Sequence, residues 1–140
     1  MKKVMAAAGA LALATMLSAP VHAEGNLASR GTELELNINT VDLKFSQETF
    51  ELETGKYYIL SVTSDGNEEI AVMAPELWRN SWINQIVVND LETKAYGLYS
   101  IEFDDEGTFE ISFVPIRPGE YDIYVPGYEN RGLKGKFVVK

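Results

Sequence analysis

The chain has no cysteine and a single histidine, His22, among its 140 residues. Without a thiol there are no disulfides, no thiolate nucleophile and no thiolate metal ligand. His22 lies in an N-terminal stretch that reads as a cleaved leader, so the chain beyond residue 23 carries no imidazole either. Ser-His-Asp hydrolysis and histidine-ligated zinc are thereby excluded. Methionine is almost as scarce: of four, only Met73 lies beyond residue 23. Paired carboxylates facing across a cleft, as glycoside hydrolysis requires, have no sequence support. Neither does any nucleophile, base or cofactor motif, and the expectation is a protein that is not an enzyme.

Long apolar runs are also missing, with one exception. Met1-Lys2-Lys3 is a basic start, Val4 to Ala19 is apolar, and Val21-His22-Ala23 supplies the −3 and −1 positions of a cleavage site. This is the pattern of a secretory signal peptide. A membrane anchor is the alternative reading, but the run is Ala-rich and short for a bilayer. The expected organisation is a signal peptide at 1–23, a lead-in at 24–33 and one domain at 34–140, exported to a Gram-negative periplasm with no membrane insertion after cleavage. Removing Lys2 and Lys3 leaves ten basic against 21 acidic residues, a net charge of −11 in place of −9. That balance argues against nucleic acid and anionic lipid as partners.

What is present is alternation. Leu34–Asn39, Lys56–Thr63, Glu69–Ala74, Ile83–Val88, Tyr99–Phe103, Phe109–Val114, Tyr121–Val125 and Lys136–Val139 have strand-like patterning. Turn signals separate them: Glu53-Thr54-Gly55, Ser64-Asp65-Gly66-Asn67, Asp104-Asp105-Glu106-Gly107 and Arg117-Pro118-Gly119. No long helical period appears, and a short helix or irregular loop fits only Ala74–Trp82. Short strands at this spacing imply an all-β sandwich or barrel.

The C-terminal stretch from Phe113 to Val139 narrows the choice. Pro118-Gly119-Glu120-Tyr121 leads into a strand, a loop follows, and Gly135-Lys136-Phe137-Val138-Val139 closes the chain. This resembles the end of a cupredoxin, where Pro-Gly-x-Tyr enters a strand that finishes in Cys-x-x-His-x4-Met. The resemblance extends, more loosely, over residues 34–140, with Val41–Phe45 as its opening strand, and its nearest style is that of small periplasmic cupredoxin-like proteins and the cupredoxin domains of iron-uptake lipoproteins. It implies a cupredoxin-like Greek-key β-sandwich. It also implies that every copper ligand is replaced: Val125 stands at the Cys position, Tyr128 at the second His, Leu133 at the Met, and Glu68 near the first His. Type 1 copper, which takes two imidazoles and a thiolate, is not expected, and neither is any other cofactor.

Three clusters remain as candidates. The former ligand positions Glu68, Val125, Tyr128 and Leu133 would converge at one end of the sandwich, as a hydrocarbon-filled core end or as a retained docking face. Trp78, Arg79 and Trp82 combine the residue types richest in interface hot spots; they form either a binding loop near that same end, together with Arg131, or a hydrophobic cover on the sandwich. The acidic turns at 65–69 and 104–107 offer oxygens for a weak Ca²⁺ site but lack the spaced ligands of an EF-hand. The function expected is that of an exported accessory or binding protein, a module for a periplasmic protein partner. The alternative is a copper or other metal carrier, or an electron-transfer-related protein, with a site unlike blue copper.

Overall fold

Every second residue from Tyr58 to Ser64 is buried, which is what a period of two produces when one face of a strand meets a core. The same alternation shapes the chain throughout. The computed structural model describes residues 27–140; the expected signal segment 1–23 lies outside the described residues. The elements are β1 (Thr32–Asn39), β2 (Lys44–Phe45), β3 (Thr49–Leu52), β4 (Tyr58–Ser64), β5 (Ile70–Val72), α1 (Pro75–Arg79), β6 (Ser81–Val88), β7 (Leu91–Thr93), β8 (Ile101–Phe103), β9 (Gly107–Pro115), β10 (Gly119–Tyr124), a 3-10 turn (Glu129–Arg131) and β11 (Lys134–Val139).

One layer is a six-stranded sheet in the order β2-β1-β4-β9-β6-β7. The other combines β10-β11-β3 with the pair β5-β8, joined where Met73 and Tyr124 exchange two backbone hydrogen bonds of 2.9 Å. β1 runs parallel to β4, and β3 parallel to β11. Parallel neighbours cannot be joined by tight hairpins, so the chain passes between layers, as a Greek-key sandwich requires.

The core lies between the layers. Phe50 stacks on Phe137 at 5.0 Å, and Tyr58 and Trp78 both meet the ring of Phe113, at 5.9 and 5.3 Å. At the β9–β10 corner the Tyr121 hydroxyl donates to the Arg117 carbonyl at 2.9 Å, the tyrosine-corner contact of Greek-key sandwiches.

Three expectations about elements change. Val41–Phe45 is a strand only at Lys44–Phe45, because Asn39 and Asp42 bond reciprocally (Asp42 N–H to Asn39 Oδ1, 2.7 Å) and Leu43 takes a left-handed φ of 52°. Tyr99–Phe103 shortens to Ile101–Phe103. β3 and β7 are additional strands; β7 is made by a two-residue turn in which Asn89 and Asp90 both have positive φ, the geometry that matches strand twist in a hairpin. The possible short helix materialises as α1, with Pro75 in its first turn, where its missing N–H costs nothing.

The end of the sandwich where β1 and β4 finish is tied by Asp65. Its carboxylate accepts from the Thr40 hydroxyl at 2.6 Å and from the Thr40 N–H at 3.0 Å, and Thr40 is buried. The hydroxyl bond is the main reason the carboxyl titrates below its ordinary value of 3.8, with the N–H groups of Thr40 and Asn67 adding to it against some desolvation. The folded state therefore holds fewer protons on this group than the unfolded chain. The contact contributes fully above pH 3.8 and is lost as pH falls through the lower folded value. Asp65→Asn should accordingly flatten the acid limb of a stability-versus-pH curve measured below pH 3.8, and an unchanged limb would remove Asp65 from the account.

Candidate functional site

The loop joining β10 to β11 carries three of the four positions singled out by the resemblance. β10 ends at Tyr124, and Val125 donates its N–H to the Leu133 carbonyl at 3.0 Å. The chain between them folds back on itself: Tyr128 N–H bonds the Val125 carbonyl at 3.0 Å, and Leu133 N–H bonds the Tyr128 carbonyl at 3.2 Å. Two glycines with positive φ, Gly127 and Gly132, permit the reversals. Val125, Tyr128 and Leu133 are therefore held together by their own backbone.

Their side chains form a plug. Val125 and Leu133 are 1% and 0% exposed and belong to the central core. Tyr128 packs against that core from the rim, with the Arg131 guanidinium 5.0 Å from its ring centre. Hydrocarbon in this position is physically sensible, since an empty polar cavity would be costly. Glu68 is exposed in the turn after β4; the segment bonded alongside Tyr124 is Met73, five residues further on. Neither Val125 nor Leu133 offers a donor atom, and the chain has no thiol. The residues present do not fit a type 1 copper centre.

The Trp-Arg segment divides in two. Trp78 is 5% exposed and sits edge-on to Phe113; it is a core residue, which corrects its reading as part of a binding loop. Arg79 is exposed and 3.7 Å from Glu76. Trp82 is 49% exposed. It lies opposite Val114, beside Pro115 where β9 turns towards β10. The loop 125–133 leaves the other end of β10, about 17 Å of strand away. Trp82 and the Tyr128–Arg131 pair are thus two surfaces, and the expected single patch does not form.

Trp82 instead belongs to an aromatic groove beside β6, with two adjoining depressions of about 400 and 580 Å³. Tyr96 and Tyr99, both well exposed, line it with Lys94 and Arg79. These tyrosines and Lys94 were not singled out in the sequence. The signal was Ala95-Tyr96-Gly97-Leu98, a stretch ahead of the Tyr99–Phe103 strand candidate that fits neither strand alternation nor a polar turn.

Acidic residues gather on the β5–β8 pair. Carboxylate oxygens of Glu69, Glu102 and Asp104 lie within 4.8 Å of one another, all on exposed residues. Such oxygens suit a hard cation such as Ca²⁺, but exposed acids of this kind are common without one.

No protein-family model matches the chain, and no curated protein does so. Similarity is found among solved structures. A dithionite-reduced auracyanin from the photosynthetic bacterium Roseiflexus castenholzii superposes with a TM-score of 0.51 at 14% identity, over 79% of this chain and 98% of that one. A multicopper oxidase from Pseudomonas thermotolerans gives 0.62 at 14% identity over 84% of this chain. A laccase-like multicopper oxidase from Ochrobactrum sp. gives 0.58 at 12% identity over 89%. The chain spans about a third of each oxidase, 31% and 33%. Among the described residues no helix is long and apolar enough to cross a membrane. At these identities the likeness is one of architecture, and the domain has a cupredoxin-like β-sandwich fold.

Proposed function

We propose that this chain is a non-catalytic protein-interaction module of the periplasm, built on a cupredoxin-like scaffold without type 1 copper. The observation that carries the reading is the plug. Val125 and Leu133 occupy the positions where the resemblance puts Cys and Met, and both are buried in hydrocarbon. The leader-like residues 1–23 support export. The exposed aromatics Trp82, Tyr96 and Tyr99 support a binding role, since aromatic and Arg side chains dominate interface hot spots.

The test begins with copper. Cu(II) added to the protein in the presence of a competing chelator should stay with the chelator, and no intense visible charge-transfer band should develop, because carboxylate oxygens compete poorly for this ion. A stoichiometric complex that withstands the chelator would replace the interaction reading with a metal carrier.

A further inference from the structure

We propose, resting on the reading of the chain as an interaction module, that the open edge of β6 at Ser81–Gln85 receives an extended, carboxylate-bearing segment of a partner polypeptide as an added strand. β9 covers one side of β6 along its whole length, from Ser81↔Pro115 to Val88↔Phe109. On the other side β7 pairs only with Ile86, Val87 and Val88. Among the described residues, Ser81–Gln85 therefore has a strand neighbour on one side alone. Beyond Thr93 the chain leaves the lane that β7 occupies, and Lys94–Tyr96 line a groove with Ser81–Asn84. Five residues of strand edge extend about 17 Å, enough for several main-chain bonds to an incoming peptide.

Sheet edges left open in this way are normally blunted by Pro, by Lys or by a covering segment. Ser81-Trp82-Ile83-Asn84-Gln85 contains neither Pro nor Lys. Its blunting device is a bulge between Ile83 and Gln85, and bulges also serve to re-aim side chains next to working sites. The exposed ring of Trp82 lies on this edge, with Tyr96 across the groove. Ser81 Oγ is buried there without a hydrogen-bond partner among the described residues. Strand addition combines main-chain bonds along an edge with side-chain contacts beside it, and both components are present.

The carboxylate follows from charge. The chain has 21 acidic and 12 basic residues, yet no acid lines the groove, and of its two cations, Arg79 and Lys94, only Arg79 has an acidic partner, Glu76. Lys94 donates to the Gln85 amide oxygen at 2.5 Å, while the Gln85 amide nitrogen donates to Glu92 at 3.5 Å; no ion pair to Lys94 itself is found among the described residues. A peptide carboxylate would complete it. A second copy pairing edge to edge would instead bring like-charged grooves together.

The experiment is selection from a random peptide display library on the chain without residues 1–23. Enriched peptides should carry an Asp or Glu among alternating β-branched or aromatic residues. Trp82→Ala and Lys94→Glu should each weaken them more than about tenfold without lowering Tm, since both side chains are exposed. N-methylation of alternate residues in a selected peptide should abolish binding in one register and be tolerated in the other, as only one set of N–H groups faces the edge. Equal binding to the Trp82→Ala variant, indifference to N-methylation, or no enrichment would overturn the proposal. So would a concentration-dependent dimer lost in Trp82→Ala, which assigns the edge to a second copy. A periplasmic partner retained by Trp82→Ala would remove this edge while leaving the interaction reading intact.

Discussion

Trp78→Ala should destabilise the domain by about 3–5 kcal/mol and lower its Tm by roughly 10–20 °C, whereas Trp82→Ala should change stability by less than about 0.5 kcal/mol. The two indoles are four residues apart and differ in what they touch. Trp78 ends α1 against the core, 5% exposed, with its ring perpendicular to Phe113 at 5.3 Å. Phe113 in turn meets Tyr58, so truncation would open a cavity at the junction of α1, β4 and β9. The surrounding strands cannot collapse into it without breaking their ladders, which is why the upper part of the range applies. Trp82 is on the open edge of β6 and half exposed. Thermal melts of the two variants beside wild type decide the matter. Equal melting temperatures for Trp78→Ala and wild type would mean that α1 is not docked as described.

This contrast also marks how far the sequence can be read. Approximate alternation in β4, β9 and β10 announced strands, and the Pro118-Gly119-x-Tyr121 entry announced the closing hairpin; both are local patterns. The burial of Val125 and Leu133 was legible as well, because two apolar residues at the two feet of the closing loop have few other places to go. The pair Trp78 and Trp82 was not legible. A five-residue helix followed at once by a strand changes the period from 3.6 to 2 between them, so one ring turns inward and its neighbour outward. The distance between Trp82 and the 125–133 loop was hidden for a related reason. It depends on β6 running alongside β9 from Pro115 backwards, a non-local pairing that no local pattern in either strand announces. The groove residues Lys94 and Tyr96 were not legible because they follow β7, whose three residues after the Asn89-Asp90 turn are too few to show an alternation.

Gly132→Ala should cost the domain about 3 kcal/mol or more and displace the loop between β10 and β11, while Gly127→Ala in the same loop should cost only about 1–2 kcal/mol. Both glycines have positive φ, 119° and 85°, so both substitutions pay for a backbone conformation that L-residues avoid. The surroundings separate them. A Cβ on Gly127 would meet nothing within 4 Å. One on Gly132 would overlap the Leu43 carbonyl oxygen, and a backbone oxygen cannot swing aside as a side chain would. Leu43 has little freedom to retreat, because it is itself left-handed at φ 52° and follows the reciprocal Asn39–Asp42 bonds. The displacement must therefore fall on the loop, whose next residue, Leu133, is wholly buried and is bonded to both Val125 and Tyr128. Loss of the Leu133 plug would expose the core end, so dye binding to apolar surface should rise in Gly132→Ala and stay at the wild-type level in Gly127→Ala. If the two variants melt together and neither takes up dye, the close approach of Gly132 to Leu43 does not hold this end of the sandwich shut.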